Sequence, residues 1–110
     1  MIIPNGENAN VDIRKLYNYS LNTAHRVGGH KARLFAAKLG IEQQDANELR
    51  HILLEAAKSH DAEIGELDDH GQRYRIDFTL TWRNKQALVR SGWIIRSNEN
   101  FPRLVTCYPI

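Results

Sequence analysis

Residues 73–80 are Arg-Tyr-Arg-Ile-Asp-Phe-Thr-Leu, and the fold class can be inferred by starting from this segment. Apolar side chains alternate there with polar ones, which is the pattern of a β-strand with one buried face; they are Tyr74, Ile76, Phe78 and Leu80. The preceding Asp68-Asp69-His70-Gly71 has the composition of a tight turn, and Ala62 and Ile64 begin the same alternation before it. The stretch therefore predicts the second strand of an antiparallel hairpin.

Turns and strands are predicted from here to the C-terminus, whereas helical spacing governs the earlier part of the chain. We expect a turn at residues 83–85, a long strand over 86–96, a loop over 97–102 and a last strand over 103–108. Apolar residues at helical spacing predict helices over residues 11–21, 30–39 and 44–59.

The first predicted helix has Asn10 as its N-cap and a stripe of apolar side chains meant for the core; the stripe consists of Ile13, Leu16, Tyr17 and Leu21. Gly40 follows the second helix at the position where glycine commonly ends one. The third helix has the clearest periodicity, so we expect it to pack on the core.

The order of these elements predicts an α+β fold, in which about three N-terminal helices pack on a C-terminal antiparallel meander of about four strands. A chain of 110 residues has room for one such core, so we expect a single domain over residues 1–110. Apolar residues make up 42% of the chain and charged residues 25%, which excludes collagen-like, disordered and disulfide-framework classes.

Three features of the sequence predict a cytoplasmic protein with no membrane association. No apolar run approaches the roughly 20 residues that cross a bilayer. Residues 1–6, Met-Ile-Ile-Pro-Asn-Gly, lack the basic and long apolar regions of a signal peptide. The single Cys107 has no partner for an internal disulfide, which fits a reducing compartment.

The net charge of +2 is the sum of segments of opposite sign. Residues 1–39 hold six Lys or Arg against two Asp or Glu, residues 40–70 hold two against nine, and residues 71–110 hold seven against two. Because one domain packs both ends of the chain together, the two basic segments are expected to form one electropositive surface. Such a surface favours an anionic partner such as RNA.

The densest group of chemically active side chains is His25-Arg26-Val27-Gly28-Gly29-His30-Lys31. Histidine exchanges protons near neutral pH and a neighbouring lysine neutralises a phosphate, a combination that suits metal-independent phosphodiester cleavage. His25, His30 and Lys31 are therefore candidate catalytic residues. The alternative is that the two glycines merely open a helix and that both imidazoles are solvated.

Neither a metal ion nor a cofactor is expected. The chain has no Gly-x-x-x-x-Gly-Lys-Ser/Thr or Gly-x-Gly-x-x-Gly loop for a nucleotide. It also has a single cysteine and no His-Glu-x-x-His motif, so the spacing offers no recognisable set of metal ligands.

Five arginines lie on the predicted strands, with aromatic residues interleaved; they are Arg73, Arg75, Arg90, Arg96 and Arg103. The first two occupy the polar positions of the alternating stretch, so we expect them on the sheet face opposite the helices. Guanidinium groups beside aromatic rings suit single-stranded nucleic acid, the cations binding phosphate and the rings stacking on bases. Few carboxylates are expected nearby, and the candidate substrate-binding residues are Arg73, Arg75, Arg96 and Tyr108. The alternative is that these arginines only solvate the sheet.

Thr106 stands in the last predicted strand at a position where the alternation would accept an apolar residue. Its hydroxyl group can hydrogen-bond a phosphate oxygen, and Tyr108, two residues on, faces the same side. Threonine is also a good strand former, so strand propensity alone explains its presence. Cys107 alternates with Thr106 and is expected to be buried.

Several motifs occur in order along nearly the whole chain: Pro4-Asn5-Gly6, Lys15-Leu16, Tyr19 with Leu21-Asn22, His25, Gly28, Lys31-Ala32, Phe35, Leu39-Gly40, Gly71-x-Arg73-Tyr74, Val89-Arg90-x-x-Trp93-Ile94 and Pro102-Arg103-Leu104-Val105-Thr106-x-Tyr108. The series resembles a family of small bacterial domains of unknown function. That resemblance implies membership of the family and no particular activity.

More distantly, the layout is similar to that of the barnase, EndoU, colicin and RelE superfamily of metal-independent ribonucleases, which includes many bacterial toxin domains. The resemblance implies that His30 or His25 transfers protons, that Lys31 and Arg90 stabilise the phosphate, and that Thr106 hydrogen-bonds in the site. The chain departs from the superfamily in having no clear second catalytic His or Glu on the sheet, so the general acid is not identified.

Three hypotheses follow from these observations. The first is an RNA-cleaving toxin-like domain with a cognate antitoxin or immunity protein as its partner. The second is a non-catalytic RNA- or protein-binding module of a two-gene operon, and the third is an accessory protein that self-associates through its acidic third helix and basic sheet. The first hypothesis requires His30, Lys31, Arg90 and Thr106 to converge in one cleft.

Overall fold

The computed structural model describes all residues from 1 to 110, and its helices precede its strands. Helix α1 (Ile13–Lys15) continues as a π-helical turn over Leu16–Ser20, and helices α2 (Gly29–Leu39) and α3 (Ala46–Ser59) follow, with short 3₁₀ turns at Gly6–Asn8 and Gln43–Asp45. The strands are β1 (Glu63–Asp68), β2 (Gly71–Trp82), β3 (Lys85–Arg96) and β4 (Pro102–Pro109). The predicted α+β order is confirmed.

The four strands form one antiparallel meander in the order β1-β2-β3-β4. The predicted first turn is present, and the Asp68 carboxylate closes it by accepting the backbone N–H of His70 at 2.8 Å and of Gly71 at 3.3 Å. Arg83 and Asn84 form the second turn, so β3 begins at Lys85, one residue earlier than predicted. The sheet therefore consists of four strands joined by three consecutive antiparallel connections, with no crossover.

The two faces of the sheet differ in what they contact. On the inner face, which packs against the helices, Tyr74 lies opposite Trp93 and Ile76 lies opposite Ser91. Arg75, opposite Gly92, and Asp77, opposite Arg90, lie on the outer face. The predicted position of the strand arginines, opposite the helices, is thus confirmed for β2.

Helices α2 and α3 cover the inner face with apolar side chains at helical spacing. Gly40 ends α2 with a left-handed φ of 72°, and its N–H bonds to the carbonyl of Ala36 while Ile41 bonds to that of Phe35. This is the predicted role of Gly40, since a residue at positive φ is best tolerated as glycine. Helix α2 packs against β3 and β4, and this contact brings the start of α2 close to the last strand.

The prediction for the first helix is wrong in two respects. Its N-cap is Asp12, whose carboxylate accepts the N–H of Arg14 at 2.9 Å, whereas Asn10 bridges to β4 through Pro102 and Leu104. Leu16 and Leu21 are buried, but Ile13 is 37% and Tyr17 50% exposed. The cause is the π-helical turn, in which the N–H of Leu21 bonds five residues back to Leu16 and so changes the spacing of the buried face.

The alternation assigned to the first strand is also only partly correct. Ala62 is buried, but Ile64 is 64% exposed, as is the nearby Leu67 at 72%. β1 is the edge strand of the sheet, and its register with β2 shifts between these two residues. At an edge that no helix covers, a period of two does not bury either face.

Twenty-two buried side chains form the core between the helices and the inner face. Trp93 and Tyr74 belong to it, as the sequence predicts, and so does Cys107. Burial raises the pKa of the Cys107 thiol to about 12, so the thiol stays protonated at neutral pH and is a weak nucleophile. None of the helices has the length and apolar character that crossing a bilayer would need.

One hydrogen-bond chain lies within this core. The Ser91 hydroxyl donates to the carbonyl oxygen of Ile76 at 2.8 Å and accepts the indole N–H of Trp93 at 2.9 Å. Both side chains are almost completely buried. Since no water reaches them, Ser91 is the partner that makes burial of the indole nitrogen tolerable.

We expect Ser91→Ala to lower the free energy of unfolding by about 2 kcal/mol, because it leaves the buried Trp93 N–H without an acceptor. Urea denaturation followed by tryptophan fluorescence measures the change. The matched control is Thr79→Ala on the outer face of β2, for which a loss of less than about 1 kcal/mol is expected. Equal losses for the two variants would contradict the role of the hydrogen bond.

Candidate functional site

A glycine on the outer face of the sheet leaves a depression between three strands. Gly92 of β3 lies between Arg75 of β2 and Thr106 of β4. A Cβ atom at this position would lie 3.2 Å from Cγ2 of Thr106, so the missing side chain is what keeps the space open. We call this depression of about 220 Å³ the Gly92 groove; its other lining residues include Arg73, Arg90, Val105 and Tyr108.

Lys31 reaches this groove from the first turn of α2. Its Nζ lies 3.4 Å from the Thr106 hydroxyl oxygen and 4.6 Å from the centroid of the Tyr108 ring. Neighbouring Ala32 is buried against the core, so the side chain of Lys31 extends sideways toward β4. No carboxylate lies within 4.0 Å of the ammonium group, which leaves its charge available to a ligand.

Arg90 forms the opposite side of the groove and is held by Asp77. Its Nε and Nη2 each donate to the Asp77 carboxylate at 3.0 Å, and Tyr108 is its neighbour on β4. The hydrogen bond to Asp77 is the main reason that the pKa of Arg90 is raised, and the same bond lowers the pKa of Asp77. Both groups are therefore ionised at neutral pH, and the guanidinium is fixed in position between Asp77 and Tyr108.

The expectation that the strand arginines have few carboxylates nearby is wrong. Arg73 pairs with Asp68, Arg75 with Glu63 and Asp77, and Arg103 with Glu99. The reason is the sheet order, because the acidic segment supplies β1 and lies directly beside β2. Among the five strand arginines, Arg96 is the one with no carboxylate within 4.0 Å.

Arg96 and His25 line a second depression, of about 590 Å³, where the helical N-terminal segment meets the ends of β3 and β4. We call it the Tyr19 cleft, after the aromatic ring in its wall. The His25 ring meets the Tyr19 ring edge-on, 4.7 Å between centroids, and its Nδ1 accepts the N–H groups of Val27 and Gly28 at 3.0 Å each. These two bonds assign the ring proton to Nε2 and leave Nδ1 unavailable as a base.

His30 is exposed at the start of α2 and lines neither depression. The structure thus brings together Lys31, Arg90 and Thr106, with Tyr108, Arg73 and Arg75 around them. It places His25 and Arg96 in the neighbouring cleft. Of the four residues that the first hypothesis places in one cleft, Arg90 and Thr106 line the groove, Lys31 contacts Thr106 from outside its lining, and His30 lies apart from it.

Sequence reasoning missed Gly92, which lines the groove, and Asp77, which holds the lining residue Arg90. Gly92 interrupts a strand, and a glycine inside a strand often marks close approach of another group, so that signal was available. Asp77 carries no local signal, because its importance comes from the pairing that sets it opposite Arg90.

The groove presents an ammonium, guanidinium groups and two hydroxyl groups to one space. Such a set donates hydrogen bonds and positive charge, which suits the oxygens of a phosphate group. No three His, Cys, Asp or Glu side chains come together in an arrangement suited to a metal ion.

Comparison with solved structures finds the same fold elsewhere. A chain of the contact-dependent growth inhibition toxin–immunity protein complex from Klebsiella pneumoniae 342 superposes with a TM-score of 0.63 over 96% of both chains, at 17% sequence identity. At that identity the likeness concerns the fold alone. No curated protein is similar to the chain in sequence.

The family comparison covers the sequence almost from end to end. A model described as a domain of unknown function, DUF6883, matches residues 2–110. This agrees with the resemblance to a family of domains of unknown function that the ordered motifs indicate. The chain belongs to the DUF6883 family.

Proposed function

We propose that this domain is a toxin-like ribonuclease that cleaves RNA without a metal ion and holds the scissile phosphate in the Gly92 groove. The observation that carries the proposal is the meeting of Lys31, Arg90 and Thr106, which come from α2, β3 and β4 and lie up to 75 residues apart in the chain. Positive charge and hydroxyl donors surround the space left by Gly92, and such groups suit the binding of a phosphodiester.

In the proposed reaction the ribose 2′-oxygen attacks the adjacent phosphorus, and the bond from phosphorus to the 5′-oxygen of the next nucleotide breaks. Lys31 and Arg90 stabilise the negative charge that develops on the phosphate oxygens. Thr106 and Tyr108 donate hydrogen bonds that orient the group. The products are a 2′,3′-cyclic phosphate and a 5′-hydroxyl, the latter taking its proton from solvent.

In this proposal His30 is the general base that accepts the proton of the 2′-hydroxyl group. Its imidazole has no hydrogen-bond partner within the protein and stands one residue before Lys31. His25 is less suited to this role because two backbone N–H groups already occupy its Nδ1. A substrate bound against Lys31 would have to bring its ribose to His30 at the start of α2.

The fold also suggests the kind of protein that would bind this domain. The structural neighbour comes from a toxin–immunity protein complex, so we propose a cognate immunity protein or antitoxin for this chain as well. RNA as the substrate and the single cysteine together favour a cytoplasmic site of action.

A second candidate function is a non-catalytic RNA- or protein-binding module. It is favoured by the absence of both histidines from the groove and by the neutralisation of Arg90 by Asp77. The structurally similar chain comes from a complex of a toxin and an immunity protein, and that description fits either a cleaving or a binding role.

The first test removes the groups that meet at the groove. We expect Lys31→Met and Thr106→Val each to lower the rate of cleavage of tRNA or total RNA by about 10²-fold, because each removes a donor to the developing charge. Cleavage is measured on gels with EDTA present. The matched control is Lys38→Met, two turns further along α2, which should leave the rate unchanged; absence of cleavage by the unaltered protein on every RNA tested would refute the ribonuclease proposal.

The second test concerns proton transfer. His30→Gln is expected to lower the cleavage rate by about 10² to 10⁴-fold while leaving RNA affinity unchanged, since a base acts on the reaction and not on binding. The control is His51→Gln on the exposed side of α3. Full activity of the His30 variant would remove this residue from the mechanism.

The third test separates cleavage from binding. If the domain is a binding module, it should bind RNA with an affinity that falls steeply with salt and give no product. Lys31→Met should then reduce the slope of log affinity against log salt by about one. Fluorescence anisotropy with a labelled oligonucleotide measures both quantities, and an unchanged slope would exclude Lys31 as a phosphate contact.

A further inference from the structure

The Tyr19 cleft is larger than the Gly92 groove and is built from different elements. Its walls come from α1 and the π-helical turn on one side and from the ends of β3 and β4 on the other. Its volume of about 590 Å³ lies within the range of small-ligand sites, roughly 300 to 1,000 Å³. A π-helical turn is uncommon and is often found where a protein binds a ligand.

Two cations in this cleft are not neutralised. Lys15 and Arg96 have no carboxylate within 4.0 Å, whereas Arg14 and Arg103 are held by Asp12 and Glu99. The paired arginines give the walls their shape without adding net charge. Lys15 and Arg96 are therefore the cations in the cleft that have no carboxylate partner and can bind an anion such as phosphate. The Nζ of Lys15 lies over the Tyr19 ring, 5.7 Å from its centroid, so the lysine and the ring belong to one site.

The aromatic ring in the cleft is held in place by its neighbours. Tyr19 meets the His25 ring at 4.7 Å, and the backbone at Gly28 lies so close that a Cβ there would be 3.1 Å from the Tyr19 ring. His25 is itself fixed by the two N–H groups that it accepts. Tyr19 is half-buried, so part of a fixed ring faces the cleft as a surface on which a base can stack.

The cleft and the groove are neighbours along β3 and β4 and share one lining residue. Val105 lines both, because the β3–β4 register shifts there and leaves Val105 as an extra residue of β4 opposite Gly92 and Trp93. The floors of the two depressions, Gly92 and Ile94, are two residues apart on β3, which is about 7 Å. A strand of nucleic acid lying in the groove would continue into the cleft.

We infer that the Tyr19 cleft is a nucleotide subsite for single-stranded RNA, in which a base stacks on Tyr19 while Lys15 and Arg96 bind the adjoining phosphate. The inference rests on the proposed function, since it extends the path of the RNA that the groove would cleave. Asn18, which lines the cleft with its side-chain amide uninvolved in other hydrogen bonds, is placed to contact the edge of the stacked base.

The test measures binding without cleavage. Oligonucleotides of two and six nucleotides carry 2′-O-methyl groups, which removes the attacking hydroxyl, and their affinity is determined by fluorescence anisotropy. Tyr19→Leu is expected to weaken binding of the six-nucleotide probe by about tenfold and that of the two-nucleotide probe much less. The matched control is Tyr17→Leu, which changes an exposed tyrosine on the same π-helical turn that does not line the cleft.

A second arm tests the cations. Arg96→Gln should reduce the salt slope of six-nucleotide binding by about one, whereas Lys85→Gln, at an exposed site outside the cleft, should not. If thermal unfolding shows that Tyr19→Leu does not fold, the Arg96 measurement still tests the subsite.

The outcomes separate the subsite from the ribonuclease proposal. Binding that depends on Tyr19 and Arg96 supports the subsite even if no RNA is cleaved. Cleavage by a protein whose binding is the same in Tyr19→Leu and Tyr17→Leu overturns the subsite and leaves the ribonuclease proposal in place. A protein that binds neither probe also overturns the subsite.

Discussion

Twelve consecutive residues of β2 pair with twelve of β3 across a two-residue turn, and this register determines which face every side chain of the two strands occupies. It places the Ser91 hydroxyl beneath Ile76 in the core and sets Arg90 beside Asp77 on the outer face. A slip of one residue would move the core side chains to the solvent and the arginines into the core. The buried hydrogen bonds of Ser91 and Trp93 oppose such a slip, because another register would leave those groups unpaired.

The sheet order then decides where positive charge remains available. β1 brings acidic residues beside β2, so Arg73 and Arg75 are neutralised on that side. At the other edge, β4 has the N-terminal helices as its neighbours, and these supply Lys15 and Lys31, neither of which has a carboxylate within 4.0 Å. The small net charge therefore conceals a basic surface at the β4 side, formed by residues from both ends of the chain.

Three departures from regular structure coincide at this surface: a glycine within β3, a shift of the β3–β4 register at Val105, and a π-helical turn before α2. Each one either leaves space unfilled or changes the direction of side chains that line a depression, and together they create the Gly92 groove and the Tyr19 cleft. Irregular strands and helices of this kind often occur where a protein binds something, since regular elements pack without leaving room.

Local patterns in the sequence were sufficient for the hairpin turn before Gly71, the helix end at Gly40 and the buried face of β2. Periodicity encodes these features because each depends on residues close together in the chain. The pairing of Arg90 with Asp77, the meeting of Lys31 with Thr106 and the exposure of Ile64 came only from the tertiary structure. They depend on strand register, on how α2 lies against β4 and on which strand forms the sheet edge, and packing between distant segments is what sets all three.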